Sequence, residues 1–302
     1  MKRKVVKQGI STFMVSLPKK WVDKNKIKKG EEVVVEEKGD SLHISKENQK
    51  HLKKETSLNL TSITESSIRT AIVNTYRSGY NLIHIKFKTK EQYKIITETL
   101  RNYLIGFDVI SKTENSCKIE NITEPSPDQF DNIIRKIFYK IEALFEGTHE
   151  RITLGKSFED YKDLSLTIHQ YDNFTRRVVS KEPTLVEDSN LFWTFMGILI
   201  HSQREIYHLN RYLDKNKVII KDFKLITELI KMFNLLREAY IKKDISKIEE
   251  IHELEKKVIY KQVYSLEPPK KELPVIYHSS LSIKQLYLAS SPLLGTLLSS
   301  KI

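Results

Sequence analysis

The chain has 302 residues, 39% hydrophobic and 30% charged, with nine glycines, one cysteine and a formal net charge of +12. This length allows two or three domains. A single cysteine, Cys117, excludes an internal disulfide, and the scarcity of glycine leaves no phosphate-cradling Gly-rich loop.

Residues 3–45 read as strand, Gly turn, strand, short helix, Gly turn, strand, Gly-Asp turn, strand. Lys and Arg between Lys2 and Lys29 number ten against one acid, Asp23, a net +9 of the chain's +12. A small β-rich module this basic points to a polyanionic partner, nucleic acid. Thr12, Met14 and Ser16 alternate with Phe13, Val15 and Leu17, the pattern of a half-buried strand. Pro18 is placed at the first helical position, where its missing N–H is no loss. The helix runs to Asn25 or Lys26, with Trp21, Val22 and Ile27 inward and Lys19, Lys20 and Lys24 outward. Gly30 leads into strand 32–36, and Gly39-Asp40 makes the next turn before Leu42 and Ile44. About 45 residues bury too little apolar surface to stand alone, so this module is expected to dimerise, with Trp21 in the shared core.

Gly9-Ile10-Ser11-Thr12, Val15-Ser16-Leu17-Pro18-Lys19-Lys20-Trp21 and Ile27-Lys28-Lys29-Gly30-Glu31-Glu32-Val33 together resemble the SpoVT/AbrB/MazE swapped-hairpin DNA-binding domain, closest to its archaeal form. The resemblance implies an interlaced homodimer that presents basic side chains to duplex DNA. Val22-Asp23 stand where bacterial transition-state regulators of that family carry Arg-Arg, so contact residues do not carry over. Charge and position instead nominate Arg3, Lys4, Lys7, Lys19, Lys20 and Lys24. A single surface lysine is as readily just solvated; the cluster carries the argument, because surfaces ordinarily mix signs.

Residues 46–57 read as a polar linker. A small α+β module then spans 58–123 in the order β-α-β-α-β-β. Its first strand is expected at 58–61. A helix follows at 65–78 with Ile68, Ala71, Ile72 and Tyr76 on one stripe, stopped by Gly79. Strand 82–87 is followed by a helix at 90–105, stopped by Gly106, and then by a hairpin of 107–111 with 118–122. Nothing in this module marks an active site; a ligand-sensing role and a spacer role are equally supported. Cys117 lies in it with no base nearby and is read as a packed, inert thiol.

Pro125-Ser126-Pro127 marks the next boundary, after which every segment has helical periodicity: 128–147, 159–181, 187–213, 221–243, 245–266 and 275–299. The turn at 214–217 divides these three and three, the pattern of antiparallel bundles. The longest apolar run, 191–200, is half a membrane span, and Lys2-Arg3-Lys4 leads into no apolar stretch. A cytoplasmic protein without membrane insertion or signal peptide is therefore expected.

From 128 to 302 the arrangement resembles the PhoU family of phosphate-response regulators. The resemblance implies a regulator of phosphate uptake, often dimeric, with multinuclear iron or zinc clusters on the bundle surface. The family's acidic pattern is reduced here to His169 and Asp172 on the second helix and Glu249 and Glu253 on the fifth. Carboxylate and imidazole donors suit iron or zinc, but these four read as an unoccupied set, or as charged helix faces. Asp172 and Arg176, four apart, read as a helix-surface ion pair. Glu146 and His149 flank Gly147 at an expected helix end, and His201 and His208 are placed at a bundle interface.

The fold class is therefore α+β: a swapped-hairpin β domain at 1–46, an α+β module at 58–123 and an all-α domain of two three-helix halves at 128–302. The expected function is a homodimeric DNA-binding transcription regulator, not an enzyme, controlling phosphate uptake or phosphate response. The alternative is a PhoU-like adaptor that docks a phosphate transporter or signalling protein through its bundle and uses the N-terminal module only to dimerise. An antitoxin shares the first domain but ordinarily follows it with a short tail rather than a long folded region.

Overall fold

A computed structural model describes residues 2–38, 41–46, 54–61, 64–123, 129–221 and 223–299. The expected Gly39-Asp40 turn, most of the linker and the Pro125-Ser126-Pro127 boundary lie outside the described residues. The chain divides into two compact units, Met1–Lys53 and Lys54–Ile302.

The first unit has the expected succession of strands and one short helix, but the strand at Thr12–Val15 is exposed on both faces in the single chain rather than half-buried. Strands β1 (Val5–Gln8) and β2 (Thr12–Val15) pair antiparallel around Gly9, whose φ of 76° favours a residue without Cβ. Helix α1 (Lys19–Lys24) follows, then the antiparallel pair β3 (Val33–Lys38) and β4 (Ser41–Lys46). Pro18 is not inside the helix but caps it, with φ −64° and ψ 126°. Its carbonyl accepts the N–H groups of Trp21 at 2.9 Å and Val22 at 3.0 Å. Among the described residues of this unit not one is buried. Val5, Val6, Phe13, Met14, Val15, Val35 and Leu42 are all exposed in the single chain.

The second unit begins with a four-stranded sheet in the order β5-β6-β8-β7, with β5 parallel to β6 and the other pairings antiparallel. Its elements are β5 (Glu55–Asn59), α2 (Glu65–Arg77), β6 (Leu82–Lys86), α3 (Lys90–Tyr103), β7 (Phe107–Lys112) and β8 (Ser116–Asn121). Strand β5 starts earlier than its apolar residues suggest. The pleat alternates its side chains between a face on the module's core and a face in water, so Thr56 and Leu58 turn inward while Glu55, Ser57 and Asn59 are exposed. Thr89 and Gln92 form a reciprocal capping box at the start of α3. Ile68, Ile72, Tyr76, Ile83, Ile85, Ile96, Leu100 and Ile119 form the module's own core.

Six α-helices follow among the described residues: α4 (Phe130–Leu154), α5 (Tyr161–Lys181), α6 (Ser189–Leu213), α7 (Lys224–Lys242), the shorter α8 (Ser246–Glu255) and α9 (Leu273–Ser299). Helix α4 runs through Gly147 and stops at Gly155, which has φ 70° and donates its N–H to Arg151. A Cβ at Gly147 would lie 2.5 Å from the Phe158 ring, so this glycine is a packing position and not a stop. After α8 the chain continues through a π-helical stretch, Lys256–Gln262, and a 3₁₀ turn, Val263–Ser265. Helices α6 and α9 lie antiparallel and close. Ser202 and Ser282 share a hydrogen bond at 2.8 Å, and Gly295 makes room for Leu191. No helix among the described residues is long and apolar enough to cross a membrane.

Candidate nucleic-acid interface

The basic face is built around α1. Counting 100° per residue, Lys19, Asp23, Lys20 and Lys24 share an arc of about 140°, and all four are exposed. Trp21 and Val22 fall on the opposite side and are half-buried. Lys7 lies on β1 opposite Phe13 of β2, and Arg3 and Lys4 immediately precede β1. Arg3, Lys4, Lys7, Lys19, Lys20 and Lys24 are all exposed, and among the described residues none has an ion-pair partner. Their charge is therefore not consumed by the fold. The one ion pair between described residues of this unit lies elsewhere: Glu31 takes the Lys46 ammonium at 2.8 Å and the Lys28 N–H at 2.8 Å. The hydrogen bond from Lys46, and after it the one from Lys28, holds the Glu31 carboxyl below its usual range.

The end of α1 contains a residue that the sequence pattern does not nominate. Lys26 has φ 52°, the left-handed region, which costs a residue with a Cβ roughly 1–2 kcal/mol. Its N–H donates to the Asp23 carbonyl at 3.1 Å, and the Ile27 N–H donates to the Val22 carbonyl at 3.1 Å. This is the paired hydrogen bonding that closes a helix through a residue usually found to be glycine. The Asn25 side-chain amide adds a bond to the Trp21 carbonyl at 2.8 Å. A signal was present in the sequence: a helix ended before Ile27 with no glycine to end it.

The four metal candidates are not brought together. Among the described residues no group of three or more His, Cys, Asp or Glu side chains could hold a metal ion. Asp172 is fully buried, and its two oxygens take Arg176 at 2.7 Å and Arg77 at 2.8 Å. It is therefore no surface ion pair, as i,i+4 spacing suggested, and its carboxylate is committed to two guanidinium groups. His169 lies against Gln203, with 3.3 Å between side-chain nitrogens, and burial pushes its imidazole down to about 4. Glu253 pairs with Lys256 at 2.8 Å, and Glu249 is exposed. His201 is exposed rather than at an interface, while half-buried His208 stands 6.2 Å from the His278 ring. Cys117 is buried, and burial pushes its thiol up to about 11, which keeps it protonated and unreactive.

Asp172 belongs instead to a polar seam between α5 and the small sheet module. Arg77 also donates to Asn173 at 2.8 Å, and Asn173 donates to the Tyr103 carbonyl at 2.8 Å. Arg177 is buried and donates to the carbonyls of Tyr76 at 3.0 Å and Tyr80 at 2.7 Å. Its guanidinium lies 5.0 Å from the Tyr76 ring centre and 4.9 Å from that of Phe107. It thus satisfies one carbonyl in the last turn of α2, where the helix dipole favours a cation, and one just beyond the helix.

Residues 6–50 match the family model described as antidote-toxin recognition MazE, bacterial antitoxin. The N-terminal part is accordingly a MazE/AbrB-like domain. No curated protein matches any part of the chain, and no solved structure does.

Proposed function

We propose that this chain is a homodimeric transcription regulator, without enzymatic activity, that binds duplex DNA through its MazE/AbrB-like domain. The observation that carries this reading is the set of six exposed cations, Arg3, Lys4, Lys7, Lys19, Lys20 and Lys24, with no ion-pair partner among the described residues of a domain whose relatives typically bind DNA and dimerise. The absence of any buried residue in the described part of that unit supports dimerisation, because a second copy would supply the core that one chain lacks. We further propose that the helical region 128–302 is PhoU-like and links DNA binding to phosphate uptake or phosphate response, through a transporter or signalling partner. Its support is the run of six helices, five of them of 19 residues or more, divided three and three by the turn after Leu213.

The name of the matching family model favours a second reading, an antitoxin. Against it stands the large compact unit that follows the N-terminal domain. The test is duplex binding by the full chain with Lys19, Lys20 and Lys24 replaced together by alanine. Every phosphate that the variant no longer touches should flatten the dependence of log K on log salt by about 0.9. Unchanged affinity and slope would refute the assignment and leave the domain as a dimerisation device for an adaptor.

A further inference from the structure

We infer that Lys26 is a further phosphate-contacting residue of the DNA interface, held in place by the left-handed turn that ends α1; the inference rests on the DNA-binding reading of this domain. Only two described residues other than glycine have positive φ, Lys26 at 52° and Lys243 at 56°. At both positions glycine would be the less strained choice. Lys243 has an internal contact, because its ammonium lies 5.5 Å from the centre of the Tyr240 ring. Lys26 has no such use. Its side chain is exposed and makes no hydrogen bond, ion pair or ring contact among the described residues.

The acids nearby do not engage it. Asp23 accepts the Lys26 N–H through its backbone carbonyl, and Glu31 commits its carboxylate to Lys46 and to the Lys28 N–H. A strained backbone conformation at a side chain that contributes nothing to the fold points to a use outside it. The chemistry available is that of a point cation, flanked in sequence by Lys24, Lys28 and Lys29, and the partner that fits is a phosphate of the duplex backbone. The two hydrogen bonds that close the helix fix the Lys26 backbone before DNA arrives, which lowers the ordering penalty on binding.

The experiment compares the salt dependence of duplex binding for the full chain and for Lys26→Gly, Lys26→Asn, Lys26→Arg and Lys243→Gly. Lys26→Gly and Lys26→Asn both accept the left-handed conformation without the charge. For every phosphate that a variant ceases to touch, the fall in affinity between about 50 and 200 mM salt should become about threefold smaller. Lys26→Arg and Lys243→Gly should keep the parent slope. The thermal midpoint of Lys26→Gly should equal or exceed the parent's, which separates lost binding from lost folding; a lower midpoint overturns the strain argument. If the parent binds with a steep salt slope and both neutral variants match it, the Lys26 inference falls alone. If the parent shows no salt-dependent binding, the DNA reading itself falls.

Discussion

Arg77 on α2 donates to the buried carboxylate of Asp172 on α5 at 2.8 Å, across 95 residues of chain. Arg176, one turn further along α5, donates to the other oxygen at 2.7 Å and also reaches the Trp193 carbonyl at 3.1 Å. One carboxylate thus ties a helix of the sheet module to two helices of the bundle. The module and the bundle each have an apolar core, and this charged seam helps make them a single compact unit.

Removing the Asp172 carboxylate leaves two guanidinium groups without their shared anion. Breaking a buried pair from one side is worth roughly 3–5 kcal/mol. Asp172→Ala should therefore lower the urea midpoint of the full chain sharply. The Asp172→Ala/Arg77→Met double variant should recover part of the loss, because one stranded cation is gone. A loss under about 1 kcal/mol in the single variant would show that the seam does not bear on stability.

His169 gives this unit an acid-sensitive element. Burial is the main cause that pushes its imidazole down to about 4; Asp172 opposes, and Arg204, Arg77 and Arg69 add to the lowering. In the unfolded chain the same ring takes its proton near 6.5. Between those values the unfolded state binds more protons, so stability rises with pH and is lost as pH falls from about 6.5 towards 4. His169→Gln should flatten the thermal midpoint across that window. An equally steep pH profile in the variant would assign the acid sensitivity to other groups.

What could be read from the sequence followed from local pattern. Six helices and the succession of strands and helices along the module, though not the order of strands in its sheet, were legible because their apolar stripes repeat at 3.6 or 2 residues, as in Ile133, Ile134, Ile137, Phe138, Ile141, Leu144 and Phe145 of α4. Gly147 misled because a glycine near the end of such a stripe resembles a stop; its role is set by the Phe158 ring from the following loop. The Asp172–Arg176 spacing was visible, but its burial was not, because Arg77 and Trp193 are remote in sequence. The cationic candidates of the N-terminal domain were legible as charge, whereas Lys26 needed a backbone angle to be noticed.

Trp21 is half-buried in the single chain, on the side of α1 opposite the lysines. If a second copy completes the core, the indole becomes an anchor whose truncation to alanine costs about 3–5 kcal/mol. A Met1–Lys54 fragment should sediment as a folded dimer, and the same fragment with Trp21→Ala should sediment as an unfolded or monomeric species. A stable folded dimer with the substitution in place would mean that α1 does not face the partner copy through this residue.

On the proposed function, the exposed cations of the N-terminal domain meet the phosphates of a duplex. The most direct measurement is the affinity of the unmodified full chain for a mixed-sequence duplex, titrated with salt. A dimer that presents Arg3, Lys4, Lys7, Lys19, Lys20 and Lys24 twice should give a straight line of log K against log salt with a slope steeper than about −4, which corresponds to at least about five phosphate contacts. A slope near zero, or no binding at about 50 mM salt, would show that these cations do not serve a duplex.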